Sequence, residues 1–201
     1  MDIIKQYQLY AADACTGKDE KLMILGAGVY QVPLIKRAKE KGLYTIVVSI
    51  PGDYPGFKLA DKIYYENTTD CEKILEIAQK ENIDGIVTAG TDVAVVTVGR
   101  VCDAMKLCGI SYEAAQISGD KLLMKDQYEK YGVRTAKYRK IFFADKDIEE
   151  KISELTQPLI FKAVDSSGSR GIIRIDDLSK CRETIEEVKK YTKKDYFIAE
   201  E

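Results

Sequence analysis

The chain has 201 residues, 31 lysines and arginines against 33 acids, and no histidine. Without histidine, Ser-His-Asp and Cys-His catalysis and histidine metal ligation are excluded, and the near balance of charge gives no support for a nucleic-acid partner. No apolar run is long enough to span a bilayer, and Met-Asp-Ile-Ile-Lys-Gln-Tyr at the start lacks a signal-peptide pattern. No membrane partner is therefore expected. Cys15, Cys71, Cys102, Cys108 and Cys181 are scattered, odd in number and free of any Cys-x-x-Cys pair. Neither a disulfide framework nor a zinc site is indicated, and reduced thiols in a cytoplasmic protein are the simplest account.

Residues 1–20 form a weakly amphipathic segment, compatible with a docked helix or a partly ordered arm. From Lys21 strands and helices alternate: strand 21–25, helix 32–41, β-branched strand 44–50, strand 62–65, helix 71–81, strand 85–88 and helix 93–105. The alternation predicts an α/β fold with a doubly wound parallel sheet, in which ligands sit beyond the carboxyl ends of the strands. Three loops occupy those ends: Gly26-Ala-Gly28-Val-Tyr30-Gln31, residues 51–57, and Ala89-Gly90-Thr91-Asp92. They are expected to converge on a pocket for a polar small molecule, with Gly26, Gly28, Tyr30, Gln31, Thr91 and Asp92 as candidate substrate-binding residues.

A dinucleotide reading of the first loop is not supported. The third glycine position holds Gln31, and no acid closes the second strand, which ends Val-Val-Ser49-Ile-Pro51. The two glycines suit either an anionic group at a helix N-terminus or a tight turn that packs the helix on the sheet. Asp92 likewise has two readings, a pocket residue or the N-cap of a helix beginning at Val93.

After Ile110 the rhythm changes. A helix opens at Ser118-Gly-Asp120-Lys121 and stops at Gly132; strand 135–143, helix 147–155, strand 159–161, helix 178–191 and a final strand 196–201 follow. A domain rarely ends on a fresh apolar strand, so a longer protein is expected, and the exposed edge allows a homo-oligomer. Between the middle strands lies the most informative segment, Pro158-Leu-Ile-Phe-Lys162-Ala-Val-Asp165-Ser166-Ser167-Gly168-Ser169-Arg170-Gly171-Ile-Ile-Arg-Ile175. An apolar strand ends on lysine, passes through small and hydroxyl residues and returns as a second strand. A Walker A loop would need Gly-Lys-Ser/Thr and a following helix, and has neither here. A phosphate cover between antiparallel strands, with Lys162 and Arg170 supplying charge, and a solvated hairpin both fit the segment. Asp176-Asp177 and Glu149-Glu150 read as carboxylates at helix N-termini, and no metal ligand is assigned.

Gly-Asp120-Lys121, Gly132-Val-Arg-Thr135, the Lys162 to Gly171 segment and Phe-Ile-Ala-Glu200-Glu201, behind a glycine-loop sheet, together resemble the ATP-grasp superfamily. The likeness is greatest to carbamoyl-phosphate-synthetase-large-chain-like members. It implies a preATP-grasp domain over residues 21–111 and, over 112–201, a linker helix and α+β small subdomain cut at the hinge. By resemblance, Lys121 and Lys162 contact nucleotide phosphates, Asp165 to Gly171 form the mobile phosphate loop, and Glu200 and Glu201 line the adenine and ribose. Ala163 departs from the proline many relatives carry after the second lysine.

The resemblance further implies an ATP- and Mg²⁺-dependent ligase that joins a carboxylate to an amine through an acyl phosphate. No catalytic residue is assigned, because phosphoryl transfer depends on positioning and charge neutralisation more than on a protein base. The family's metal ligands lie beyond the hinge, so the 201 residues alone are expected to fold without catalysing. The alternative is a non-catalytic nucleotide-binding or assembly subunit of a split carbamoyl-phosphate-synthetase-like enzyme.

Overall fold

The computed structural model describes residues 20–201; the expectation for the N-terminal arm, and Cys15 with it, lies outside the described residues. The chain divides into two units, residues 1–115 and 116–201.

The first unit is a four-stranded, all-parallel sheet in the order β3-β2-β1-β4. Its strands are β1 (Lys21–Leu25), β2 (Tyr44–Ser49), β3 (Lys62–Tyr65) and β4 (Gly85–Thr88). Because successive side chains point to opposite faces, β1 and β2 bury both sets. Met23, Leu25, Ile46 and Val48 pack with Ile74, Ala78, Val98 and Val101. These come from α2 (Cys71–Glu81) and α3 (Val95–Met105). On the other face Ile24 and Val47 meet Ile35 and Ala38 of α1 (Val32–Glu40), together with Phe57 of a 3-10 turn, Pro55–Leu59. Helices on both faces make the doubly wound arrangement that the alternation predicts.

Two local details differ from expectation. The third helix begins at Val95, with Ala94 as N-cap and no side-chain cap bond, so Asp92 does not cap a helix from Val93. Instead the Asp92 carbonyl accepts from the Val95 amide in a turn ahead of the helix. A further helix, α4 (Tyr112–Gly119), precedes the expected one; the Ser111 hydroxyl accepts the Ala114 amide at its start. Its weak amphipathicity hid it from a periodicity reading.

In the second unit an antiparallel sheet runs β5-β8-β6-β7, built from Tyr138–Phe142, Tyr196–Glu200, Leu159–Lys162 and Ile172–Ile175. One face, carrying Ile141, Leu159, Phe161, Ile175, Phe197 and Ala199, is covered by Ile152 of α6 (Ile148–Ser153) and by Ile185 and Val188 of α7 (Cys181–Lys189). The opposite face carries Tyr138, Lys162, Ile198 and Glu200. Among the described residues, Leu122 of α5 (Lys121–Lys130) and Val164 pack on its Tyr138 and Ile198. Alternation along the strands thus segregates a dry face from one that retains lysine and glutamate.

Candidate functional site

In the first unit, the loops after β1 and β4 meet at the point where the strand order reverses, the usual ligand crevice of such sheets. Gln31 joins them. Its Oε1 accepts from the Gly28 amide at 2.9 Å, and its Nε2 donates to the Ala89 carbonyl. Gly26 has φ +98°, and a Cβ there would lie 2.9 Å from Gln31 Cδ, so the loop needs glycine at that position. The Gly26 amide is bound to the Val48 carbonyl at 2.8 Å. Both glycine amides are therefore satisfied within the protein, and buried Gln31 fills the hollow they shape. Tyr30 lies against Gly90 while staying exposed, and Asp92 is exposed with Thr91 half-buried beside it. The third loop is tied in by the Gly56 amide, which donates to the Ala27 carbonyl at 2.8 Å.

The second unit gathers charge. Lys162, the last residue of β6, pairs with Glu200 Oε1, while Lys125 Nζ reaches Glu200 Oε2 at 2.8 Å. Glu200 and Lys125 are both buried. Lys125 also donates to Thr135 Oγ1 at 2.8 Å and to the Ala136 carbonyl at 3.0 Å, and its ammonium lies 4.9 Å from the centre of the Tyr138 ring. These acceptors precede β5, which starts at Tyr138, opposite Glu200, and not at Thr135. Burial, followed by the neighbouring Lys125 and Lys121 charges, pushes the Lys162 ammonium below the usual lysine range. Burial pushes Lys125 down as well.

The loop after β6 docks on the start of α5. Lys121 donates its backbone amide to the Val164 carbonyl at 3.0 Å and its ammonium to the Ser166 carbonyl. Asp120 caps the helix, accepting from the Leu122 and Leu123 amides at 2.9 and 3.3 Å. Its other oxygen accepts from the Tyr196 hydroxyl at 3.0 Å. Burial first, then this bond, pushes the Tyr196 phenol up to about 12. The loop closes through the Ala163 amide to the Gly171 carbonyl at 2.8 Å, and Asp165 accepts the Lys193 amide at 3.1 Å. Gly168, Ser169 and Arg170 are exposed, Ser166 and Ser167 half-buried; the Arg170 side chain folds back to the Ser167 carbonyl.

Lys121, Lys162, Ser166 and Glu200 are thus brought together. Glu201 is not: one residue further along the chain, it turns to the opposite face, where its carboxylate accepts from the Thr156 amide at 3.0 Å. That bond, more than the nearby Lys137, holds its carboxyl below the usual range. Asp177 accepts from the Ser179 amide and hydroxyl, and Asp176 pairs with Arg174. Sequence reading missed Lys125. The available signal was its spacing four residues after Lys121, on the same face of one helix.

No protein-family model matches the chain. It is 29% identical over 182 residues to a phosphoribosylamine–glycine ligase of Clostridium acetobutylicum, covering 88% of this chain and 42% of that protein. Among solved structures, phosphoribosylglycinamide synthetase from Anaerococcus prevotii superposes with a TM-score of 0.69 at 33% identity, over 91% of this chain and 45% of the other. The biotin carboxylase domain of a Hydrogenobacter thermophilus 2-oxoglutarate carboxylase, a complex with MgADP, ADP and bicarbonate, gives a TM-score of 0.72 at 19% identity and shares the fold. It is matched over 90% of this chain and 44% of its own. The chain spans less than half the length of each of these proteins. These relatives are ATP-grasp enzymes; the chain matches the N-terminal portion of their length, and its parallel sheet followed by a separate antiparallel sheet is the ATP-grasp arrangement of a preATP-grasp domain and small subdomain.

Proposed function

We propose that the second unit binds the phosphates of ATP between Lys121, Lys162 and the loop from Asp165 to Gly171, and that the protein is an ATP-dependent ligase joining a carboxylate to an amine. The observation that carries this reading is the placement of Lys125 and Lys162 on a single buried carboxylate, Glu200, with Lys121 near enough for its charge to act on Lys162 and bound to the loop of small residues at Ser166. Such a cluster has surplus positive charge in a partly desolvated setting, where an anion is held more strongly than in water. The name of the Clostridium relative, which pairs glycine with an amine, supports the choice of substrates.

In this reading an oxygen of the substrate carboxylate attacks the γ-phosphorus, ADP departs, and the amine displaces phosphate from the resulting acyl phosphate. Lys121 and Lys162 hold charge on the phosphate oxygens, and the loop excludes water from the acyl phosphate. Glu200 is read as the hinge-strand acid that faces the adenine and ribose, and within the first unit the loops bearing Tyr30, Thr91 and Asp92 are read as a place for a polar small molecule. Magnesium, bound to the phosphates, would neutralise further charge. Among the described residues no group of three or more acids, cysteines or histidines is placed to hold it, and no step is assigned to it.

An NMR titration of the chain with Mg-ATP tests the reading. Resonance shifts are expected at Lys162, Glu200 and residues 166–171, with saturation in the high micromolar to millimolar range. A spectrum unchanged at about 10 mM nucleotide, some tenfold above a 1 mM Kd, would overturn it.

A further inference from the structure

We infer that Lys125 is a positioning residue of the site, which holds the Glu200 carboxylate by Oε2 while Oε1 meets Lys162. The inference rests on the nucleotide reading for its functional consequence but on geometry for its substance. An ammonium has three N–H donors. Those of Lys125 match three acceptors, Glu200 Oε2 at 2.8 Å, Thr135 Oγ1 at 2.8 Å and the Ala136 carbonyl at 3.0 Å. Two hydrogen bonds and an ion pair thus engage the buried Lys125 ammonium, and its part is to hold Glu200 and not to meet phosphate.

Lys162 is different. Among the described residues it meets Glu200 alone, which leaves two of its donors for a ligand. The division of labour depends on the carboxylate's being shared. With Lys125 in place, Glu200 presents one oxygen to each lysine and is held from both sides. Were Lys125 absent, the same carboxylate would turn both oxygens to Lys162, and a phosphate would have to displace it. Lys125 also anchors three separate segments: α5, the residues leading into β5, and the end of β8. Thr135 thereby acquires a role, as a fixed acceptor for the lysine that fixes Glu200.

Lys125→Met keeps most of the stem and deletes the charge; Thr135→Val deletes one anchor and keeps the lysine. Thr135→Ser retains the acceptor. Two readouts apply to the full chain: Mg-ATP affinity by NMR titration, and titration of the Lys162 ammonium by ¹⁵N NMR without nucleotide. The groups that face Lys162 are Glu200, Lys125 and Lys121. In Lys125→Met the Lys162 titration is expected to move to higher pH and Mg-ATP affinity to fall about tenfold, a change that corresponds to about 1.4 kcal/mol. Thr135→Val should move both in the same direction by less, and Thr135→Ser should restore the wild-type values. An unmoved Lys162 titration in Lys125→Met overturns the inference, as does unmoved titration in Thr135→Val should the first variant fail to fold. If wild-type protein binds no nucleotide, the Lys162 titration still decides the positioning role, and only the proposed function fails.

Discussion

Gln31 Oε1 accepts the amide hydrogen of Gly28 at 2.9 Å, so the residue that ends the glycine loop also fills it. Its amide nitrogen ties the same loop to the Ala89 carbonyl. Where a dinucleotide site would leave amides for a pyrophosphate, this sheet satisfies them internally, Gly28 with the buried Gln31 side chain and Gly26 with the Val48 carbonyl.

Gln31→Ala should leave the Gly28 amide and the Ala89 carbonyl without their partner in a partly buried place. A cost of about 1–3 kcal/mol is expected. Urea unfolding should show a lower midpoint with an unchanged m-value. Wild-type stability would mean that the bridge contributes nothing to the sheet.

Lys121→Met and Lys162→Met each remove a charge-assisted contact worth about 1.5–3 kcal/mol to a bound phosphate. Mg-ATP affinity should fall by roughly one to two orders of magnitude in each. In Lys162→Met, Glu200 keeps its bond to Lys125, so the fold should persist and the loss should be confined to binding. Unchanged affinity in both variants would remove the basis of the nucleotide site.

Gly171→Ala tests the base of the loop. Gly171 has φ +66°, and an added Cβ would lie 2.7 Å from Tyr191 Cβ and 2.8 Å from Ala163 Cβ. Neither neighbour is a flexible tip. The left-handed backbone alone costs an alanine about 1–2 kcal/mol, and the contacts add to it. A clear fall in thermal midpoint is expected, with loop resonances displaced from Ala163 to Gly171; an unperturbed spectrum would contradict the packing described.

Glu81 supplies a pH test in the first unit. It is buried, accepts from Lys62 Nζ at 2.7 Å and from the Tyr64 hydroxyl, and is held below its ordinary value of 4.5, first by the Lys62 bond and then by Tyr64. A depressed carboxyl stabilises the fold above its unfolded pKa, and that contribution disappears as pH falls through the folded value. Glu81→Gln should therefore be least stable relative to wild type at neutral pH, and the difference should narrow below about pH 4.5. Denaturant unfolding at pH 7 and pH 3.5 measures it; a gap independent of pH would refute the assignment.

Much of this architecture was legible in the chain because it is set locally. The alternation of β-branched runs with helical periodicity fixed the parallel sheet, and the apolar run ending at Lys162, followed by small residues and Ile172 to Ile175, fixed the hairpin. Asp120 is a cap by virtue of its own neighbours. What sequence did not reveal is which side chains share a space. Lys125 reads as one more helical lysine until β8 brings Glu200 beside it, and Glu200-Glu201 reads as a pair until the strand sends the two carboxylates to opposite faces. Gln31 likewise finds Ala89 only across the sheet. Local propensity depends on covalent neighbours, whereas charge, desolvation and hydrogen-bond partnership depend on distance through space, which only the packed chain defines.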